Sequence, residues 1–448
     1  MIKFTEENKS YNSLAIIETY FFYENEDLTN FFYSEIKSVN NFIIAEITKN
    51  QYSNKIGFYQ FLGDKNKYIK IYILPKTVSV STYSNKEDLT ALFNNYFKEY
   101  LRLKKKYHNY KGYKEVKDNI LDVDLINASN IEEYLVKKYR RSLVEIINFF
   151  KKHNKEIIIR NDFYSQDISS AIDIKKNIIE INKSKIHQNE NIVINYSKIA
   201  EITLGSIKLF SNFKVPFFDN SKIGYEVKTL NSILKKAIKN RYIYNQNNTS
   251  RAKIYKSLNS KIFNKSSKLV YLKNNLLFLL GWESDNSKIK INDIDSLWFS
   301  TDYMYELCVL EYLENLKAAV PINLLPKSGK DYNIMIDGEI HGNIKSIPDF
   351  IVETEDTIYI IDAKWKIIYN INSVSFMDIL KANRDLIVHN KNSKKIKIII
   401  FYPLIHLEKI IYSGKEITYD YDQSPIFRMK ELQLFDGSNI SIDNYEWM

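Results

Sequence analysis

The chain has 448 residues, more than one ordinary hydrophobic core accommodates, so two or three domains are expected. Hydrophobic residues make up 45% of it, and glycine and proline number only 11 and 7, which excludes a collagen-like, linker-rich or disordered chain. The net charge of +10 is compatible with a nucleic-acid partner. A composition rich in Lys, Asn, Ile and Tyr, as AT-rich codons produce, explains that charge equally well.

Cysteine, histidine and the apolar runs limit the possible sites. Cys308 is the single cysteine, which excludes a disulfide framework within the chain and a thiolate zinc site. The six histidines are scattered without a pair at helical spacing, which disfavours a histidine-based metal site. The N-terminus lacks a signal-peptide pattern, and apolar runs such as 276–282 are too short to span a bilayer. A cytoplasmic protein without a membrane partner is expected.

The first part of the chain, to about residue 80, is typical of β-structure because short apolar runs alternate with polar residues. Strands are predicted at 40–48, 55–63 and 67–76, with a turn at 63–66. From about residue 87 the apolar residues recur at helical spacing, which predicts a helix over 85–107. The basic run at 102–114 is expected to form an exposed helix end and loop.

The middle of the chain mixes helical and basic segments. Amphipathic patterns predict helices over 130–153 and 195–213, and further basic segments lie at 227–244 and 250–263. The sequence has no repeat of fixed period. We place the boundaries of this middle region near residues 115 and 285.

The last part, from about residue 290, alternates helices and strands. Helices are predicted over 297–319 and 375–389, and strands over 332–340, 348–366 and 394–404. The first helix has an apolar stripe formed by Tyr303, Leu307, Leu310, Tyr312 and Leu313. This order of elements predicts a mixed sheet flanked by helices.

Acidic residues precede the first strand and end the second strand of a predicted hairpin in the stretch "PDFIVETEDTIYIIDAKWK" at 348–366. Asp349 precedes the first strand and Asp362 ends the second, so the two carboxylates are expected to converge, as Mg²⁺ requires. Lys364 points to the same face as Asp362. A metal there would polarise a phosphate and lower the pKa of a bound water, while Lys364 orients that water or stabilises developing charge. Glu306, on the predicted helix 297–319, could reach the metal directly or through water.

Simpler structural roles are open for each of these residues. Asp349 can begin a strand or cap a turn. Lys364 with Asp362 can be an ordinary feature of a sheet edge, and Glu306 can be a solvated helix residue. Besides a metal-dependent nuclease, a regulatory subunit without cleavage activity or a DNA-binding module is possible. Basic segments at 102–114, 137–141 and 234–268 support the last of these, although solvated helix faces explain them as well.

The hairpin stretch resembles the PD-(D/E)xK nuclease superfamily, in the form found in McrC-type subunits of modified-cytosine-dependent, type IV restriction systems. The segment 55–76, "KIGFYQFLGDKNKYIKIYILPK", is similar to the N-terminal signature of those subunits. "SAIDIKKNI" at 170–178 resembles a degenerate segment of the related LlaJI-type restriction subunits, with Ser170 in place of a glycine. "IIIFYP" at 398–403 matches an apolar strand that ends in Tyr-Pro.

The resemblance implies an α/β (α+β multidomain) fold class. Residues 1–115 would form a β-rich N-terminal domain that docks on an NTPase partner, and 116–285 a mixed, mainly helical middle region with possible DNA contact. Residues 286–448 would form a PD-(D/E)xK nuclease domain, a restriction-endonuclease-like mixed sheet flanked by helices.

The function implied is a Mg²⁺-dependent DNA endonuclease subunit of an anti-phage system. Its partners would be an McrB-like AAA+ GTPase, whose hydrolysis it stimulates, and modified double-stranded DNA. The catalytic and metal-binding roles carry over to Asp349, Asp362 and, for the helical acid, Glu306, with Lys364 catalytic but not a ligand. The chain has no G-x-x-x-x-G-K-[ST] motif of its own. One departure concerns the helix after the Asp-Ala-Lys, where Lys381 stands near an expected Gln and the matching Tyr is missing.

Overall fold

The structure, a computed structural model, describes most of the predicted elements. It describes residues 2–9, 14–24, 55–63, 67–76, 85–110, 130–153, 157–165, 167–168, 171–179, 185–194, 196–213, 220–238, 250–264, 266–285, 288–291, 294–319, 321–325, 330–336, 339–346, 348–366, 377–378, 384–385, 395–403 and 427–432, and the single residues Glu26, Leu28, Phe31, Asp118, Ala128 and Lys381. The strand predicted for 40–48 lies outside the described residues, as do 64–66 of the predicted turn.

The strands are numbered in chain order. They are β1 Ile2–Lys9, β2 Leu14–Tyr23, β3 Lys55–Leu62, β4 Tyr68–Leu74, β5 Ile157–Ser165, β6 Ala171–Ile172, β7 Ile186–Ile194, β8 Trp282–Asp285, β9 Lys288–Ile291, β10 Ile294–Ser300, β11 Asn323–Leu325, β12 Lys330–Ile336, β13 Glu339–Ser346, β14 Phe350–Glu353, β15 Thr357–Ala363, β16 Lys395–Pro403 and β17 Phe427–Leu432.

The α-helices are numbered in the same way. They are α1 Lys86–Lys106, α2 Ile131–Lys152, α3 Ile174–Ile179, α4 Tyr196–Phe213, α5 Asn220–Ala237, α6 Arg251–Leu258, α7 Ser267–Leu280 and α8 Thr301–Ala319, with a 3₁₀ turn at Lys261–Asn264. The chain is thus a mixed α/β protein. Of the helices that the structure describes, none is long and apolar enough to cross a membrane.

The N-terminal sheet has the order β1-β2-β4-β3-β10, in which β2 and β4 are parallel and the other pairs antiparallel. Its last strand, β10, comes from the region that the sequence assigns to the nuclease. Gly57 of β3 lies opposite Trp298, and a Cβ at Gly57 would lie 2.9 Å from the carbonyl oxygen of Leu297. This close approach of β10 explains why the signature segment has a glycine there.

The helices predicted over 85–107, 130–153 and 195–213 are confirmed as α1, α2 and α4. Asparagine caps begin the first two, because Asn85 and Asn130 accept hydrogen bonds from the backbone N–H of Asp88 and Glu133 at 2.7 and 2.8 Å. The buried faces of these helices share one hydrophobic core with one face of the N-terminal sheet. That core fixes the sheet relative to the helical middle region.

The helix predicted over 297–319 begins only at Thr301, so the prediction was wrong for 297–300. Those residues belong to β10, where Leu297 and Phe299 contact one core and Trp298 contacts the core on the other face of the sheet. A strand that is buried on both faces has a continuous apolar run, which periodicity does not distinguish from a buried helix.

The C-terminal sheet has the order β11-β14-β15-β16-β17, with antiparallel pairing up to β15 and parallel pairing beyond it. The predicted hairpin is confirmed as β14 and β15, and the predicted strand 394–404 as β16. Helix α8 packs on this sheet through Leu307, Leu310 and Leu313. Of the helix predicted over 375–389, the structure describes residues 377–378, 381 and 384–385, all of them helical. The piece predicted at 332–340 is divided between β12 and β13.

Candidate active site

Two aspartates lie side by side at one end of the hairpin. Phe350 pairs with Ile361, so Asp349, just before β14, comes next to Asp362 near the end of β15. Both side chains are buried, with 5% and 4% of their residues' surface exposed. The backbone N–H of Ala363 donates to Asp349 Oδ2 at 2.9 Å, which fixes this carboxylate against the strand that carries the other. The sequence prediction that these acids converge agrees with this geometry.

Two lysines neutralise Asp362. Lys364 Nζ is in ion-pair contact with Asp362 Oδ2, and the backbone N–H of Lys364 donates to the carbonyl of Phe401 at 2.9 Å. Lys381 Nζ, from the helical stretch between β15 and β16, donates to Asp362 Oδ1 at 2.9 Å. The sequence singled out Lys381 as a departure from a family pattern and gave it no role. Its contact with Asp362 makes it part of the site.

Burial and neighbouring charges shift the pKa values of the two carboxyl groups in opposite directions. Burial raises the pKa of Asp349, and the negative charges of Asp362 and Glu306 raise it further. Burial also opposes ionisation of Asp362, but Lys364 and Lys381 outweigh it and hold the pKa of Asp362 below its usual range. Asp362 is therefore the carboxylate that stays ionised, and Asp349 is the one that retains a proton more readily.

Glu306 is buried, which excludes the solvated-helix alternative for it, and it is close enough for its negative charge to act on Asp349. Tyr110 donates its hydroxyl proton to Glu306 Oε1 at 2.7 Å. The Tyr110 ring also stacks on Phe350, with ring centroids 6.2 Å apart and planes 19° apart. Tyr110 thus connects Glu306 to the strand that follows Asp349, a contact that the sequence did not reveal.

The oxygen donors of Asp349 and Asp362 fit a magnesium ion, which commonly binds through one or two carboxylates and keeps waters and substrate phosphate as further ligands. Among the residues that the structure describes, no three His, Cys, Asp or Glu side chains gather into a group that could hold a metal ion. The described donor set fits the metal as a pair of carboxylates.

A fourth buried carboxylate, Glu24, contacts the segment that follows Lys364. It lies just after β2 and accepts a hydrogen bond from the indole Nε1–H of Trp365 at 2.9 Å. It accepts another from the Thr301 hydroxyl at 2.7 Å. Sequence reasoning missed Glu24, because an acid that ends an apolar strand has no signal of its own.

No protein-family profile and no curated protein matches this sequence. Among solved structures, one match is a chain of the refined half-complex from the tetradecameric assembly of Thermococcus gammatolerans McrB AAA+ hexamers with bound McrC. The match covers 93% of this chain and 95% of that one, with 10% identity and a TM-score of 0.40. A chain of the cryo-EM structure of the Thermococcus gammatolerans McrBC complex also matches, over 66% of this chain and 87% of that one, with 10% identity and a TM-score of 0.27. Both of these structures are McrBC complexes, and their TM-scores are too low to assign a fold or an activity to this chain.

Proposed function

We propose that this chain is a Mg²⁺-dependent DNA endonuclease subunit of an McrBC-like restriction system, activated by an McrB-like AAA+ GTPase whose hydrolysis it stimulates. The observation that carries the nuclease part is the buried pair Asp349 and Asp362 at one end of the hairpin, with Lys364 in contact with Asp362. The partner and the modified double-stranded DNA rest on the sequence resemblance of the segments 55–76 and 348–366.

Asp349 and Asp362 would hold the metal ion. When bound, Mg²⁺ would polarise the scissile phosphate and lower the pKa of the attacking water. Lys364 contacts the same carboxylate and would therefore stand beside the reacting phosphate, where its ammonium group orients that water or stabilises negative charge in the transition state. Lys381 keeps Asp362 ionised from the other side. Glu306, fixed by Tyr110, would complete the acidic wall of the site.

A second candidate is a regulatory subunit that binds and stimulates the partner NTPase or binds DNA without cutting it. One observation favours it. Lys381 occupies an oxygen of Asp362 that a metal ion would use. An active and an inactive subunit therefore differ in whether Mg²⁺ can displace a lysine from Asp362.

The test is a cleavage assay with the chain, an McrB-like partner, GTP or ATP, Mg²⁺ and modified or unmodified plasmid. Asp362→Ala and Lys364→Ala are each expected to lower cleavage by at least about 100-fold while NTPase stimulation persists. Glu355→Ala, at an exposed acid in the turn of the same hairpin, is the matched control and should cut like the wild type. A wild type that stimulates the NTPase but never cuts would establish the regulatory alternative.

A further inference from the structure

Glu24 joins the N-terminal sheet to both elements that carry the candidate active site. Its residue is 3% exposed, and both carboxylate oxygens are used. Oε1 accepts from the Thr301 hydroxyl at 2.7 Å, while Oε2 accepts from Trp365 Nε1 at 2.9 Å and from the backbone N–H of Lys76 at 3.1 Å. These donors come from regions of the chain that are far apart in sequence.

On one side, Glu24 is fixed to the ends of two paired strands. Tyr23 of β2 pairs with Leu74 of β4, and the backbone N–H of Glu24 donates to the carbonyl of Leu74 at 2.9 Å. The bond from Lys76 adds the residue that follows this strand end. The position of the carboxylate is therefore set by the N-terminal sheet.

On the other side, Glu24 contacts residues adjacent to the active site. Trp365 directly follows Lys364, is buried, and packs its ring against Tyr305 at 5.8 Å between centroids. Thr301 is the first residue of α8, and Glu306 lies on the same helix. One carboxylate thus holds the lysine-bearing segment and the beginning of the glutamate-bearing helix.

Burying a carboxylate is costly unless directional hydrogen bonds compensate for the lost water. Burial accordingly raises the pKa of Glu24, against the opposing effect of the hydrogen bonds from Thr301 and Trp365. Apolar contacts alone could hold the two elements together without this cost, but they do not fix direction. Hydrogen bonds to a carboxylate are short and oriented, so they fix where Trp365, and with it Lys364, lies.

We propose that Glu24 is a positioning residue, which sets Lys364 and Glu306 in place through Trp365 and Thr301 and so makes cleavage depend on the arrangement of the N-terminal sheet. This inference rests on the proposed nuclease function. It names how the N-terminal region acts on the site within one chain.

The test compares Glu24→Gln, Trp365→Phe and the double variant with the wild type. Glutamine keeps the size but presents an amide N–H₂ to one of the donors, and phenylalanine keeps the ring but removes the indole N–H. Glu226→Gln is the control, because Glu226 is also buried and accepts from Arg140 Nε at 2.8 Å in the helical middle region. Each variant is assayed for cleavage, for unfolding midpoint and for hydrogen exchange of the amides at 363–366.

We expect Glu24→Gln and Trp365→Phe each to lower cleavage by about 10- to 100-fold and the double variant to lose no more than either single one. Exchange at 363–366 should rise in all three but not in the control. The proposal is overturned if Glu24→Gln cleaves DNA as fast as the wild type, or if the losses of the two single variants add up in the double variant. If the wild type does not cut, both the nuclease function and the positioning role in cleavage are rejected. If hydrogen exchange at 363–366 is unchanged in Glu24→Gln, the structural connection between Glu24 and the Lys364 segment is rejected, whether or not the wild type cuts.

Discussion

Replacing Lys381 by alanine removes one of the two lysines that contact Asp362 and so distinguishes its effect from that of Lys364. The Lys381 Nζ donates to Asp362 Oδ1 at 2.9 Å, while Lys364 contacts the other oxygen. Leaving a buried charge without any partner costs about 3–5 kcal/mol. Because Lys364 remains and the Lys381 side chain is 23% exposed, we expect a smaller loss of unfolding free energy, about 1.5–3 kcal/mol, the range for a hydrogen bond to a charged group.

Magnesium should reverse part of that loss. In EDTA the variant lacks one of the two positive charges beside Asp362. Added Mg²⁺ supplies that charge, and it no longer competes with Lys381 for the Oδ1 atom of Asp362. Free Mg²⁺ at about 100 times its Kd adds about 2.7 kcal/mol of stability to a protein that binds it only when folded. Urea unfolding with EDTA or with excess MgCl₂ measures both numbers, and the Mg²⁺-dependent gain should be larger for Lys381→Ala than for the wild type.

Lys366→Ala is the matched control. Lys366 Nζ donates to Asp378 Oδ2 at 2.5 Å, an ion pair that joins the same two segments of the chain but does not contact Asp349 or Asp362. Its loss of stability should be the same with and without Mg²⁺. If Lys381→Ala behaves in the same way as Lys366→Ala, the carboxylate pair does not bind the metal, and the reasoning from Asp362 fails.

Two further changes test other parts of the structure. Tyr110→Phe removes the hydroxyl that donates to Glu306 at 2.7 Å and should lower the free energy of unfolding by about 1–2 kcal/mol. It should also lower cleavage, and Tyr110→Trp, which also lacks the hydroxyl, should not restore it. Undiminished cleavage would remove Glu306 from the site. Phe299→Ala empties a buried position in β10, next to the stacked ring of Tyr100 at 4.4 Å, and should cost about 3–5 kcal/mol by urea unfolding. A cost below about 1 kcal/mol would contradict the placement of β10 in the N-terminal sheet.

The parts of the site that the sequence predicted are local. A hairpin with a four-residue polar turn places Asp349 opposite the end of its partner strand, so the distance between the two acids follows from strand pairing alone. Lys364 follows Asp362 by two residues, and its proximity also follows from local geometry. The prediction for Glu306 depended on one long-range contact, the packing of its helix on the sheet. The apolar stripe of the helix predicted which face makes that contact.

The contacts that the sequence did not predict connect distant segments. Trp365 donates to a carboxylate 341 residues earlier in the chain, and Tyr110 donates to one 196 residues later. Neither pair has a periodicity or a spacing that marks it. Part of strand β10 was predicted as helix for a related reason. Only its pairing with β3 determines that its apolar run is extended rather than helical.

Strand β10 and Glu24 both connect the N-terminal sheet to the elements that carry the candidate active site. Through β10, the N-terminal sheet continues directly into α8, because Ser300 ends the strand and Thr301 begins the helix. Through Glu24, the same sheet contacts the beginning of that helix and the segment after Lys364. If Glu24 positions these elements as proposed, we expect a displacement of the N-terminal sheet to reach Glu306 through the backbone and both Glu306 and Lys364 through Glu24. A partner that binds the N-terminal region thus needs no direct contact with the aspartate pair to change its surroundings.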